Sequence, residues 1–109
     1  MKPHYATADD QAAAEMTETE LQRLCAHRLR SAGWVVKVLA SDKRQRKGAM
    51  GLPDALAFRC GVTLLLEFKS ETGQQETSQV EFEAELKPHL GDTLHYILVY
   101  FPQQLAEFC

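Results

Sequence analysis

Two apolar runs, Leu64-Leu65-Leu66 and Ile97-Leu98-Val99-Tyr100-Phe101, constrain this chain most. Both fall well short of the roughly 18 residues that a membrane-spanning helix needs. They have the length of strands, and no transmembrane helix is expected. His95 to Phe101 alternates little and is strongly apolar, so it reads as a strand buried on both faces. A chain of 109 residues supports one hydrophobic core rather than two. Its 45% hydrophobic and 25% charged residues are ordinary for a globular domain and exclude a largely disordered or collagen-like protein.

The remaining elements follow from local patterns. Met1 through Ala14 lacks a sustained apolar face, and residues 1–16 read as a mobile leader ahead of one domain over 17–109. That leader also lacks the basic start and apolar stretch of a secretory signal, which points to an intracellular, cytoplasmic protein. Thr17 can cap a helix whose apolar face runs through Leu21, Leu24, Cys25, Leu29 and Ala32 and ends at Gly33. Trp34 to Leu39 reads as a first strand. Residues 54–58 and 62–68 read as a hairpin joined across Arg59-Cys60-Gly61. A second helix is expected from Thr77 or Ser78 past Leu86, with a break or turn at Pro88. A short helix from Gln103 to Phe108 closes the chain. The order α-β-β-β-α-β-α predicts an α/β domain with a small mixed sheet and helices packed on it.

Charge is distributed unevenly. Residues 1–21 hold one Lys and five acids, residues 22–47 hold eight Lys or Arg and one Asp, and residues 48–109 hold three and nine. The net charge of −3 therefore averages segments of −4, +7 and −6. The basic segment ends in Lys43-Arg44-Gln45-Arg46-Lys47. Such a run is either a solvated loop or a loop that contacts phosphates, its Lys and Arg displacing counterions from a polyanion. Three cysteines at wide spacing form no zinc or disulfide pattern and read as reduced. His4, His27, His89 and His95 show no ligand spacing.

The residues that carry chemistry are Pro53-Asp54 at the head of one strand and Glu67-Phe68-Lys69 at the end of the next. Pairing of the two strands brings Asp54 near the end of the second, and Glu67 and Lys69, two apart, share a face. Converging carboxylates are costly without a cation, and a hard divalent ion with oxygen ligands neutralises them. Magnesium is the natural candidate. The main-chain carbonyl of Phe68 adds a ligand oxygen, and Lys69 can hold or activate a water. A metal ion serving as Lewis acid in phosphodiester hydrolysis suits this set. Taken singly, each motif has an ordinary explanation: an edge-strand ion pair for Glu67 and Lys69, a turn for Pro53-Asp54.

This arrangement resembles the PD-(D/E)xK nuclease superfamily, and within it the stretch from about Thr17 to Phe101 resembles a stand-alone VRR-NUC domain. The residues that carry the likeness are Glu18-Thr19-Glu20-Leu21-Gln22, Gly51-Leu52-Pro53-Asp54, Glu67-Phe68-Lys69, and Gly73 followed by Gln79. The resemblance implies a restriction-endonuclease-like core and a Mg²⁺- or Mn²⁺-dependent endonuclease. Asp54, Glu67 and the Phe68 carbonyl would bind metal, Lys69 would assist the attacking water and Gln79 would orient the site. A carboxylate on the first helix would support a second metal or a water. Glu18 and Glu20 both qualify, but on a helical wheel Glu18 falls about 60° from Leu21, whereas Glu20 falls about 100° away on the other side. Glu18 is preferred. Where relatives often have a Ser-Pro helix start, this chain has Gln74-Gln75-Glu76-Thr77-Ser78, so its cap position stays open.

The loop position of Lys43, Arg44, Arg46 and Lys47, just before Asp54, favours phosphate contact and DNA as the substrate. Resemblance to small stand-alone members implies a homodimer, and with it a branched, Holliday-junction-like DNA. Two alternatives remain: a nuclease-fold module that binds nucleic acid or a partner without cutting, and a metal-independent interaction domain.

Overall fold

A computed structural model describes residues 16–39, 51–70 and 73–109. Residues 1–15 of the expected leader, the basic run 43–47 with Gly48, and residues 71–72 lie outside the described residues.

Helix α1 (Glu18–Ser31) begins where Thr17, in extended conformation, accepts a hydrogen bond from Glu20 N through its hydroxyl. Glu18 and Glu20 lie in its first turn and Arg28 and Arg30 in its last, both favourable to the helix dipole. It stops at Ala32-Gly33, where Gly33 takes a φ of 93° that other residues rarely adopt. Four strands follow: β1 (Val35–Val38), β2 (Ala55–Arg59), β3 (Val62–Phe68) and β4 (Leu94–Val99). Cys60 and Gly61, both at positive φ, make the tight β2–β3 hairpin. Helix α2 (Thr77–Leu86) crosses from β3 to β4, runs into a 3₁₀ turn (Lys87–His89) at Pro88, and lets β4 return parallel to β3.

The sheet order is β1-β2-β3-β4, antiparallel except for the last pair, a small mixed sheet with flanking helices. One face of it, with Ala55, Ala57, Leu64, Leu66 and Phe68, packs against Leu21, Cys25 and Leu29 of α1 to form the core. Trp34, just before β1, is buried and its indole N–H donates to the carbonyl of Phe108 at 2.8 Å, tying the C-terminus to the core.

Two expectations need correction. β4 is not buried on both faces: it is an edge strand of the sheet, and of its residues only Val99 is buried. Its outer side borders a groove lined by Leu90, Leu94, Ile97 and Phe108. The strand enclosed on both faces is β3, buried continuously from Leu64 to Phe68. Strand order is a long-range property, so an apolar run cannot report it. The closing helix is 3₁₀ rather than α (Pro102–Phe108), and Gln104 near its start binds main chain upstream. Its Oε1 accepts from Tyr100 and Phe101 N–H and its Nε2 donates to Leu98 O.

Among the described residues no helix is long and apolar enough to cross a membrane. All three cysteines are free. Cys25 packs in the core, and burial pushes its thiol up to about 12.

Candidate functional site

The candidate site forms where β2 begins and β3 ends. Asp54 immediately precedes β2, and it binds the neighbouring strand in two places. Its main-chain N–H donates to Leu66 O at 2.9 Å, and its carboxylate Oδ2 accepts from Phe68 N–H at 2.8 Å. The main chain of Asp54 is thus tied to the residue before Glu67 and its side chain to the residue after it. A charge-assisted bond of this kind fixes the carboxylate more firmly than a neutral one.

Glu67 is fully buried, at 0% exposure. The helix that faces it supplies its partner: Gln79, itself 4% exposed, donates from Nε2 to Glu67 Oε2 at 2.7 Å. The other end of the same amide is engaged, since Gln79 Oε1 accepts from Glu76 N–H at 2.9 Å. That bond settles the cap: α2 starts after Glu76 without a Ser-Pro entry, and its third residue is the one that reaches Glu67. Gln79 thus serves two roles, closing the helix start and orienting the acid.

Lys69 continues β3, its N–H donating to Val99 O, and is buried at 9% exposure. The alternation of a strand puts it on the same face as Glu67, opposite the core. The carbonyl of Phe68 belongs to the residue whose N–H meets Asp54, while its ring lies in the core. Glu18 reaches the same end of β3 from α1: its Oε1 accepts from Ser70 N–H at 3.2 Å. Glu20 is exposed, and its main chain serves the helix cap. Lys43, Arg44, Arg46 and Lys47 lie outside the described residues.

Two features of the site are not evident from the motifs. Gly51, with φ of 88°, lies so close to the first turn of α2 that a Cβ there would come within 2.6 Å of Ser78 O. The absence of a side chain lets the segment leading into Pro53-Asp54 pack against the helix that carries Gln79. Tyr96 of β4 is the second. Its partner in the ladder is Leu65, so it stands on the Glu67 face, with its ring edge-on to Phe82 of α2 at 6.4 Å. Burial raises its phenol well above the usual range, and the carboxylates of Glu67 and then Glu83 raise it further. A buried tyrosine hydroxyl needs a polar neighbour, but a tyrosine in an apolar strand does not by itself tell which.

No family model and no curated protein matches this chain. A solved structure described as a VRR_NUC domain superposes on it with a TM-score of 0.64 and 22% identity, covering 83% of this chain and 94% of that one. The likeness is one of fold. The small mixed four-stranded sheet and its flanking helices are arranged as in a VRR_NUC domain, the restriction-endonuclease-like architecture.

Proposed function

We propose that this chain, with the fold of a VRR_NUC domain, is a Mg²⁺- or Mn²⁺-dependent endonuclease that hydrolyses phosphodiester bonds in DNA. The observation that carries this reading is the bracketing of buried Glu67 by Asp54, with Lys69 two residues further on the same face. A wholly buried carboxylate at the end of an apolar strand is expensive to maintain, and a structural role would be served as well by leucine.

The donor set fits a hard cation. Among the described residues no three His, Cys, Asp or Glu side chains converge into a complete metal cage. Two carboxylates and a main-chain carbonyl suit Mg²⁺ all the same, since that ion keeps several waters and shares its remaining positions with substrate phosphate. Asp54, Glu67 and the Phe68 carbonyl would hold it. When bound it supplies Lewis-acid chemistry, polarising the phosphate and making water more acidic.

The rest falls to the protein. Phe68 N–H sets the orientation of Asp54, and Gln79 sets that of Glu67. Lys69 holds the attacking water against the phosphorus and offsets the negative charge that builds there. Glu18, on Ser70, steadies the segment that follows Lys69, and supports a second metal or a water. Lys43, Arg44, Arg46 and Lys47, close in sequence to Asp54, contact backbone phosphates. A homodimer would present two such sites to a branched, Holliday-junction-like DNA.

Incubation of labelled linear, nicked, flapped and four-way DNA with Mg²⁺ or Mn²⁺ tests this reading. Metal-dependent cleavage of at least one substrate, lost in Asp54→Ala, is expected. Binding without cleavage of any of them would identify a non-cutting nuclease-fold module instead.

A further inference from the structure

Beside Glu67 lie two buried polar groups that the motifs do not account for. The hydroxyl of Tyr96 and the Nε2 of Gln75 are inaccessible to solvent, and neither closes a hydrogen bond among the described residues. Both lie within interaction range of one another, and the hydroxyl lies within range of the Glu67 carboxylate. We propose that Tyr96 is a positioning residue for Glu67: its hydroxyl faces the carboxylate from β4 while Gln79 holds it from α2, and Gln75 backs the phenol oxygen.

Packing alone does not explain this hydroxyl. The contact between the Tyr96 ring and Phe82 needs only the ring, and phenylalanine would make it equally well. A buried hydroxyl that serves nothing costs stability. Its location is defined by the ladder: Leu65 pairs with Tyr96 and Glu67 with Leu98, so Tyr96 stands one step back along the same face as the acid. Phe82 and Gln79, three apart on α2, meet Tyr96 and Glu67 respectively, so one helix face sets both side chains. The direction of donation follows from chemistry. An ionised carboxylate only accepts, the phenol can donate to it and accept at the same time, and an amide N–H₂ only donates. A chain closed from Gln75 through Tyr96 to Glu67 would therefore run donor to acceptor and end on the acid. Groups in this position fix the rotamer of a carboxylate ligand and strengthen its hold on a cation.

This assignment rests on the nuclease reading, since the acid being positioned is there a metal ligand. The test is Tyr96→Phe in the full chain, measured by Mn²⁺ calorimetry, thermal melting in EDTA, and cleavage across a Mn²⁺ titration. Mn²⁺ affinity should fall about tenfold, with the melting temperature in EDTA held and most of the cleavage rate regained at high Mn²⁺. Wild-type Mn²⁺ affinity in Tyr96→Phe, with or without a lower melting temperature, would overturn the assignment alone. A wild type that binds no Mn²⁺ would overturn the nuclease reading and the assignment with it.

Discussion

Leu64, Leu66 and Phe68 point to one side of β3, Leu65, Glu67 and Lys69 to the other, and the two sets meet different surroundings. On the first side α1 supplies Leu21, Cys25 and Leu29, and the strand contributes to an unbroken apolar cluster. On the second side lie buried Glu67 and Lys69, and Glu67 is met by Gln79 and Tyr96, each polar at its tip. The same seven-residue strand thus faces an apolar core on one side and polar side chains on the other. The difference teaches where selection for stability ends. Burial of the leucines stabilises the fold through the area they remove from water. Burial of Glu67 costs stability, a cost that a bound cation would offset in the proposed reading.

Substitutions one residue apart should separate the two faces. Leu66→Ala leaves a cavity between β3 and α1 and should cost about 2–5 kcal/mol in denaturant unfolding. Glu67→Gln, next to it, should leave the melting temperature in EDTA equal to or above that of the wild type, because a buried charge is replaced by a neutral side chain of the same shape, while Mn²⁺ binding is lost. Equal destabilisation by both would mean that the two faces do not differ as described. A smaller effect is expected at the junction between loop and helix. Gly51→Ala pushes a methyl group against Ser78 O and disfavours the positive φ, at about 1–3 kcal/mol. Because that contact joins the Asp54 segment to the helix of Gln79, cleavage should also fall; stability lost with full cleavage retained would make Gly51 a purely structural residue.

Much of this fold was legible from local signals. The hairpin runs from Ala55 to Phe68 around Cys60-Gly61, α1 stops at Gly33, and α2 turns at Pro88, each where turn or cap chemistry marks it. Convergence of Asp54 with the end of β3 followed from the hairpin alone. The edge position of β4 was not legible, because order in a sheet depends on residues far apart in sequence. Gln79 and Glu18 were reached only by resemblance, and their contacts with Glu67 and Ser70 cross the sequence by many residues. The Gly51 approach and the place of Tyr96 required the packed structure. A glycine in a loop and a tyrosine in an apolar strand are too common to signal their surroundings.

Lys69→Ala is the most direct measurement. It sits on the polar face, holds no metal in this account, and is placed to act on the attacking water. Cleavage should fall about 10²–10⁴-fold, while Mn²⁺ affinity, DNA binding and melting temperature stay near those of the wild type. Cleavage by Lys69→Ala at the wild-type rate would contradict the account, because the polar face of β3 would then not carry the chemistry.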